Sequence, residues 1–199
     1  MITRVEEILA LAKRQDRTYR LVLAGSENAS SLETVDVARK SGLIEPVLVG
    51  DRRGTEQAAE ELEIPLNDYE FLPAERPEDT VAQSLQTIRD GRADILMKGQ
   101  VPTRAMLKGL LNRKFGFRTG RLLSHVSVFN VPGEDRLLII TDAGVNVTPD
   151  VQKKKDILLN AVELAHVLEN PTPRVAVLSF VEEATDRQVR LTADAEDLV

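Results

Sequence analysis

Short apolar runs that alternate with helix-forming segments constrain the fold of this 199-residue chain more than any other feature. The runs lie at 19–25, 46–50, 93–99 and 174–180, and segments with apolar residues at helical spacing separate them. A short, continuously apolar run is typical of a strand that is buried on both faces. Strands that alternate with helices predict an α/β fold with a mostly parallel sheet.

Capping and turn residues predict where several elements begin. Ser30 with Glu33 fits a capping box at the start of a helix, and Thr103 is positioned to cap another helix. The segments 122–131 and 136–142 are apolar enough to form strands, and we expect them to be neighbours in a sheet.

A stretch without acidic residues, from Ile95 to Gly133, dominates the charge pattern. It holds seven of the 26 Lys and Arg residues and none of the 32 Asp and Glu residues, whereas the whole chain has a formal net charge of -6. A positive region in an acidic chain attracts anions. Its turn residues, such as Gly99 and Pro102, can bring backbone N–H groups close to a ligand. We therefore expect a site for a small molecule that carries phosphate.

Lys98 and Gly99 end the predicted strand 93–99, and the helix predicted at Thr103 follows. Ligands of open α/β sheets bind at the carboxyl edge of the strands, and a helix N-terminus can hold an anion through its free N–H groups. The segment matches neither the Walker P-loop nor the G-x-G-x-x-G fingerprint. The alternative is a strand, loop and helix whose lysines are merely solvated.

Two further segments place polar residues beside predicted strands. Ser124 and His125 should point to opposite sides of a strand, so they do not form a catalytic pair, and His125 is interpreted as structural. Asp142 and Asn146 lie in a Gly-containing loop between a strand and a long helix, a position typical of active-site loops. Ordinary turn chemistry is the alternative for this loop.

Composition excludes several classes of function. The chain has no Cys, and its two His residues cannot form a His-rich site, so no metal is expected. Glu182, Glu183 and Asp186 are candidates for a cation site, but a loop with scattered acids is the favoured interpretation. No apolar run approaches the roughly 20 residues that span a bilayer, and no signal peptide is recognisable, so a soluble, cytoplasmic protein is expected. The net negative charge disfavours nucleic-acid binding.

Three segments of the chain resemble the phosphate acetyltransferase/phosphate butyryltransferase family. They are 96–118, 123–149 and 157–182, and they contain the specific matches LMKG-x-VPT, LSHV-x-VF and NAVELAH. These matches are closer to the butyryltransferase branch than to the acetyltransferase branch. The similarity covers essentially the whole chain, less clearly before residue 90.

The resemblance implies an acyltransferase that moves a butyryl or acetyl group between coenzyme A and inorganic phosphate. It implies the α/β, mostly parallel, two-domain fold of isocitrate and isopropylmalate dehydrogenases, with the active site in the cleft between the domains. The first domain would cover 1–143 and contain the basic phosphate-binding loop, and 144–199 would begin an incomplete second α/β domain. Coenzyme A would be a substrate, with no separate cofactor. The expected partners are acyl-CoA, phosphate and acyl phosphate, and the expected assembly is a homo-oligomer.

The same resemblance assigns roles to two sets of residues. The catalytic candidates are Asp142 and Lys98, and the substrate-binding candidates are Gly99, Thr103, Lys108, Ser124 and Asn146. Acetyltransferases of the family have an Arg where a rough register places Lys108. Lys at that position keeps the charge but loses the bidentate geometry with which Arg holds phosphate.

The family pattern continues beyond the last residue of this sequence. It includes a Gly-Pro motif, a Ser-Arg pair and a nearby Asp, which this sequence does not contain. Thr192 is positioned to cap a helix that has room for only about two turns, which predicts a fragment or a C-terminally shortened chain with little acyltransferase activity. A non-catalytic module that binds coenzyme A or phosphate remains an alternative. A metal-dependent decarboxylating dehydrogenase is another, although the sequence has no clustered acidic metal motif.

Overall fold

The computed structural model describes residues 1–14 and 16–178. Its strands are β1 (Tyr19–Ala24), β2 (Ile44–Gly50), β3 (Glu70–Pro73), β4 (Ile95–Lys98), β5 (Val126–Asn130) and β6 (Leu137–Thr141). Its α-helices are α1 (Val5–Lys13), α2 (Ala29–Lys40), α3 (Arg52–Glu61), α4 (Pro77–Arg89), α5 (Thr103–Leu110) and α6 (Val151–Val167). Short 3₁₀ helices lie at Leu66–Asp68 and Arg113–Phe115.

Contacts within the chain divide it into two compact units. The sheet unit is Ala12–Thr119, and the hairpin unit is Met1–Leu11 together with Gly120–Val199. These limits differ from the predicted domains, 1–143 and 144–199, because β5 and β6 pair with each other and with no strand of the sheet unit. The prediction of two α/β domains with those limits stays a prediction.

The sheet unit is built on a four-stranded sheet with the order β3-β2-β1-β4. All neighbouring strands in it are parallel, and Val22 of β1, for example, lies between Val47 of β2 and Leu96 of β4. Helices connect the successive strands, as parallel pairing requires. The predicted α/β fold with a mostly parallel sheet is confirmed.

Side chains of the central strand β1 pack against helices on both faces of this sheet. Leu23 belongs to a buried cluster with Leu32 of α2 and Ala58 of α3. Ala24 points the other way, into a cluster with Leu85 of α4 and Met106 of α5. A strand covered on both faces has no polar side, which explains why residues 21–24 of β1 are an unbroken apolar run.

The hairpin unit pairs β5 with β6 in antiparallel fashion, with Val128 opposite Ile139. The two segments predicted to be neighbouring strands are therefore neighbours. Helix α6 packs against β6 and buries Ile157, Ala161 and Ala165, which recur at a spacing of four residues and so share one face. Within the described residues, no helix is long and apolar enough to cross a membrane.

Two local predictions require correction. Helix α2 is capped by Asn28 and not by Ser30, because the Asn28 side chain already accepts a hydrogen bond from the N–H of Ser31 and Ser30 lies inside the helix. The described part of the predicted strand 174–180, residues 174–178, belongs to no helix or strand. The remainder of that segment lies outside the described residues, as do Glu182, Glu183, Asp186 and Thr192.

Candidate functional site

The basic loop, residues 98–104, joins the end of β4 to the first turn of α5. β1 is the neighbour of β4, but the chain runs from β1 to β2 on one side of the sheet and reaches β4 on the other side. The carboxyl ends of β1 and β4 therefore flank a topological switch point, the place where open α/β sheets bind ligands. The predicted residues Lys98, Gly99 and Thr103 all lie in this loop.

Backbone contacts with the segment after β1 fix the start of the basic loop. The N–H of Gly99 donates to the carbonyl oxygen of Ala24, and the N–H of Gln100 donates to that of Gly25, both at 2.8 Å. A Cβ atom on Gly99 would lie 2.1 Å from the Gly25 oxygen, and one on Gly25 would lie 2.5 Å from the Gln100 nitrogen. Neither glycine can carry a side chain unless the backbone shifts. Gly99 therefore allows the two loops to approach each other closely.

The N-terminus of α5 is not capped by any side chain. The helix begins at Thr103, and Pro102 precedes it in an extended conformation. The prediction that Thr103 caps this helix is wrong, because Thr103 is itself the first helical residue. The N–H groups of Thr103 and Arg104 cannot bond within the helix, and neither has a partner in the described part of the chain. The first turn contains no acid, so these donors and the helix dipole are open to an anion.

The cations of the basic loop lack carboxylate partners. The Lys98 ammonium donates to the carbonyl oxygen of Gly99 at 3.3 Å. Over residues 1–14 and 16–178, neither Lys98 nor Arg104 forms an ion pair, and both side chains are exposed. Sequence analysis did not single out Arg104, although its place directly after Thr103 puts it in the first turn of the helix.

Lys108 is separated from the basic loop. It lies in the last turn of α5, five residues after Thr103, and a rise of 1.5 Å per residue places it about 7.5 Å further along the helix axis. Arg121, at the far end of the acid-free stretch, belongs to the hairpin unit and forms an ion pair with Glu163 at 2.6 Å. The cations of the acid-free stretch therefore do not all belong to the basic loop.

Asp142 lies between β6 and α6, and the loop that contains it uses its carboxylate fully. One oxygen accepts from the N–H groups of Gly144 and Val145 at 3.1 and 3.0 Å, and the other accepts from the N–H and Nδ2 of Asn146 at 3.2 and 2.6 Å. Partial burial raises the pKa of Asp142, but these hydrogen bonds outweigh it and hold the pKa below its usual value. Asn146 Nδ2 also donates to the carbonyl oxygen of Leu123 at 3.0 Å.

Ser124 and His125 precede β5, which begins at Val126, so the prediction that they alternate within a strand is wrong. Asn160 of α6 holds this segment: its Nδ2 donates to the carbonyl oxygen of Leu122 at 2.9 Å and to Ser124 Oγ at 2.8 Å. The Ser124 hydroxyl therefore accepts from Asn160 and keeps its own proton for another partner. Sequence analysis quoted the motif that contains Asn160 without assigning the residue a role.

Glu27, in the loop between β1 and α2, is an acid that sequence analysis missed. Its Oε2 is buried without a hydrogen-bond partner among the described residues. A Cβ atom on Gly50 would lie 2.3 Å from this oxygen. The oxygen therefore occupies space that is free because Gly50 has no side chain. Burial raises the pKa of Glu27, and hydrogen bonds from the N–H groups of Glu27 and Asp51 offset this only in part. No group of three or more His, Cys, Asp or Glu side chains in the described residues could hold a metal ion.

Comparison with known proteins connects this arrangement to one family. The family model described as phosphate acetyl/butaryl transferase matches residues 73–198. The phosphate butyryltransferase of Clostridium beijerinckii is 35% identical over 190 residues, which cover 96% of this chain and 62% of that protein. The phosphate acetyltransferase of Rhizobium meliloti is 34% identical over 177 residues, or 89% of this chain and 56% of that protein. The chain thus spans about three fifths of the length of the curated relatives that it matches.

Solved structures agree with these matches at the level of the fold. A branched-chain phosphotransacylase from Enterococcus faecalis V583 superimposes with a TM-score of 0.74 at 22% identity, over 91% of this chain and 63% of that chain. A phosphotransacetylase from Streptococcus pyogenes gives a TM-score of 0.73 at 17% identity, over 98% of this chain and 70% of that chain. The α/β fold described above is therefore similar to that of phosphotransacylases.

Proposed function

Because the chain belongs to the phosphate acetyl/butaryl transferase family, we propose that it transfers an acyl group, butyryl or acetyl, between coenzyme A and inorganic phosphate. The observation that carries this proposal is the basic loop. Its cations have no carboxylate partner among the described residues, and two backbone N–H groups are open at the N-terminus of α5. The names of the relatives do not favour the alternative of a non-catalytic binding module.

The proposed reaction needs orientation and charge neutralisation more than it needs a reactive side chain. A phosphate oxygen attacks the thioester carbonyl of acyl-CoA, so that a carbon–oxygen bond forms, the carbon–sulfur bond breaks and coenzyme A leaves as the thiolate. In reverse, the thiolate attacks the acyl phosphate. No covalent enzyme intermediate is required. The protein has to hold two anionic substrates in line and stabilise the charge that develops on the carbonyl oxygen.

The basic loop supplies groups suited to one phosphate. We assign Lys98 and the open N–H groups of Thr103 and Arg104 to its oxygens, with the Thr103 hydroxyl and the Arg104 guanidinium as further donors. Gly99 allows the loop to approach the segment after β1. Lys108 lies about 7.5 Å further along the axis of α5 than Thr103, and we assign it to a second phosphate group, on coenzyme A.

The remaining predicted site residues lie in the hairpin unit. The Ser124 hydroxyl is held by Asn160 as an acceptor, so its proton is available to another acceptor, and substrate binding by Ser124 is part of this proposal. The Asp142 carboxylate accepts hydrogen bonds from its own loop, so Asp142 and Asn146 shape that loop. The catalytic role of Asp142 stays a prediction.

Several wider features belong to the same proposal. The complete fold would be the two-domain fold of isocitrate and isopropylmalate dehydrogenases. The protein would act in the cytoplasm as a homo-oligomer, without nucleic acid. Coenzyme A would be its substrate, and it would use no additional cofactor or metal.

Calorimetry with inorganic phosphate on the full 199-residue chain tests the proposal. A charge-assisted hydrogen bond contributes about 1.5–3 kcal/mol, so Lys98→Met should weaken phosphate binding by about one to two orders of magnitude. Lys13→Met is the matched control, because Lys13 is likewise exposed and has no ion pair within the described residues. Phosphate-dependent release of free coenzyme A from butyryl-CoA and acetyl-CoA then measures turnover. Equal phosphate affinity in the two variants would contradict the proposal.

A further inference from the structure

Gln100, in the middle of the basic loop, is fixed by the loop between β1 and α2. Its backbone N–H donates to Gly25, which approaches so closely that no side chain fits at position 25. Its side chain is held as well, because Asn28 Nδ2 donates to Gln100 Oε1 at 3.3 Å. A residue from a distant part of the sequence therefore determines which end of the Gln100 amide faces outward.

The orientation of Asn28 is itself determined by its role as the cap of α2. Its Oδ1 accepts from the N–H of Ser31 at 2.9 Å and from the Ser31 hydroxyl at 2.8 Å. The other end of the Asn28 amide, Nδ2, is therefore the end that reaches Gln100. Gln100 presents its oxygen to Asn28, and its own NH₂ group is exposed and has no partner within the described residues. The cap of α2 thus orients the Asn28 amide, and the Asn28 amide orients the Gln100 amide.

This pair of amides completes a loop whose free side chains and helix-terminal N–H groups are mainly hydrogen-bond donors. The ammonium of Lys98, the guanidinium of Arg104, the open N–H groups at the start of α5 and the Gln100 NH₂ group can only donate. The Thr103 hydroxyl and the backbone carbonyl oxygens of the loop can also accept. The donors suit the unprotonated oxygens of an oxyanion.

We infer that Gln100 is a further binding residue of the basic loop, whose NH₂ group donates to an unprotonated oxygen of the bound oxyanion, and that Asn28 is the positioning residue that keeps it a donor. The inference rests on the proposed function, because it concerns the phosphate that the basic loop holds. It adds a neutral donor to that site and predicts that this donor faces an oxygen of the ligand that carries no proton.

Substitutions of Gln100 test this contact with inorganic phosphate and sulfate at about pH 8, where both anions are mainly dianions and only phosphate carries a proton. Gln100→Ala removes one neutral hydrogen bond and should weaken both anions about threefold to tenfold. Gln100→Glu replaces the donor by an acceptor of the same shape. It should weaken sulfate at least about tenfold more than phosphate, because only phosphate can donate to the new carboxylate. A change in packing alone would affect both anions alike.

Substitution of Asn28 tests the positioning role. Asn28→Asp keeps the acceptor that caps α2 but replaces Nδ2 by oxygen, so Gln100 should turn its NH₂ group toward the new carboxylate and its oxygen toward the ligand. Phosphate affinity should then fall about tenfold. Asn112→Asp is the control for charge, because Asn112 also caps a short helix in the acid-free stretch, through Lys114 N–H, and does not contact Gln100. It should weaken phosphate binding less than about twofold, the small effect expected of an exposed charge.

The outcomes separate this inference from the proposed function. If Lys98→Met weakens phosphate binding but both Gln100 variants bind phosphate and sulfate like the wild type, the inference is wrong and the proposed function stands. If the wild type binds no phosphate, both are wrong. Equal effects of Asn28→Asp and Asn112→Asp would reject the positioning role of Asn28. Asn28→Ser, which retains a capping oxygen without adding charge, should weaken phosphate measurably and provides the same test if Asn28→Asp does not fold.

Discussion

Two loops that sequence analysis assigned to the same site use their polar groups in opposite ways. Both follow the carboxyl end of a strand and lead into a helix. In the basic loop, Lys98 and Arg104 have no carboxylate partner among the described residues, and two backbone N–H groups are open. In the loop after β6, the Asp142 carboxylate accepts four hydrogen bonds from its own neighbours.

The difference indicates what each loop contributes. A carboxylate has about four lone-pair positions, so Asp142 has little capacity left for a ligand. Its hydrogen bonds give the loop its shape, and we expect substitutions there to change stability. The side chains of Lys98 and Arg104 form no ion pair with the described residues, so substitutions of these two residues should change phosphate binding and leave stability unaltered. Each prediction below tests one side of this contrast.

The largest effect is expected for Asp142→Ala. The substitution removes four hydrogen bonds to a charged acceptor, which contribute about 1.5–3 kcal/mol each at most and less where water can replace them. We therefore expect the free energy of unfolding to fall by about 3 kcal/mol, measured by urea denaturation. The affinity for inorganic phosphate of the folded variant should change less than about twofold, well within the energy of one weak hydrogen bond.

Asp142→Asn provides a graded control for this prediction. The amide keeps one acceptor oxygen but loses the negative charge, so its stability should lie between those of the wild type and the Ala variant. Wild-type stability in both variants, together with weaker phosphate binding, would show that Asp142 faces the ligand and that the contrast between the loops is wrong.

A smaller effect is expected within the basic region, between the first and last turns of α5. Arg104→Met should weaken phosphate binding about tenfold, because Arg104 lies beside the open N–H groups. Lys108→Met removes a cation from the same helix at a greater distance and should have less than about a twofold effect. Calorimetry on both variants decides the comparison. A larger loss from Lys108→Met would place the phosphate near the C-terminal turn.

Cations that form ion pairs should, like the Asp142 carboxylate, contribute to stability and not to phosphate binding. At the amino edge of the sheet, Glu70 forms ion pairs with both Arg20 and Arg92, and all three side chains are partly exposed. Glu70→Gln should reduce the free energy of unfolding by about 1 kcal/mol, less in high salt, and leave phosphate affinity unchanged. Reduced phosphate affinity in this variant would show that ion pairing does not separate structural cations from binding cations.

Much of the fold could be predicted because its signals are local. The apolar runs at 19–25, 46–50 and 93–99 correspond to β1, β2 and β4. Most residues of β1 and β2 are buried, so their sequences show this directly, whereas β4, at the edge of the four-stranded sheet, is only partly buried. Strand pairing is not local. That β5 and β6 are neighbours was predicted, but their antiparallel direction and their membership of a separate two-stranded sheet depend on contacts that no periodicity reveals. The predicted boundary at residue 143 therefore differs from the division that the contacts give.

The candidate site was predictable to a similar degree. Lys98, Gly99 and Thr103 share one loop because strand, turn and helix follow each other directly. The sequence around Asp142 was compatible with both turn chemistry and an active-site role; the hydrogen bonds show the turn chemistry, and the active-site role stays a prediction. Gln100 could not be singled out, because its orientation depends on Asn28, far away in the sequence.

The pH dependence of stability distinguishes the saturated carboxylate from an unsaturated one. The hydrogen bonds of Asp142 hold its pKa in the folded protein below the unfolded value, so its stabilising contribution is present above about pH 4 and is lost as the pH falls through the folded pKa. The stability advantage of the wild type over Asp142→Asn should therefore shrink as the pH is lowered from about 4.

Glu27, which shares the carboxyl edge of the sheet with the basic loop, should show the opposite slope. Burial of its unpartnered Oε2 raises its pKa in the folded protein above the unfolded value of about 4.3, so the folded state binds more protons than the unfolded state in that interval. Wild-type stability relative to Glu27→Gln should therefore fall as the pH rises from about 4.3 through the folded pKa. The buried amide of the variant changes its free energy of unfolding by an amount that does not depend on pH. The pH dependence of the stability difference, and not its value at one pH, therefore reports the titration of Glu27. Urea denaturation of both proteins across this interval gives the slope. A flat difference would mean that the Glu27 carboxylate is hydrated or paired in solution and that its oxygen is not confined beside Gly50.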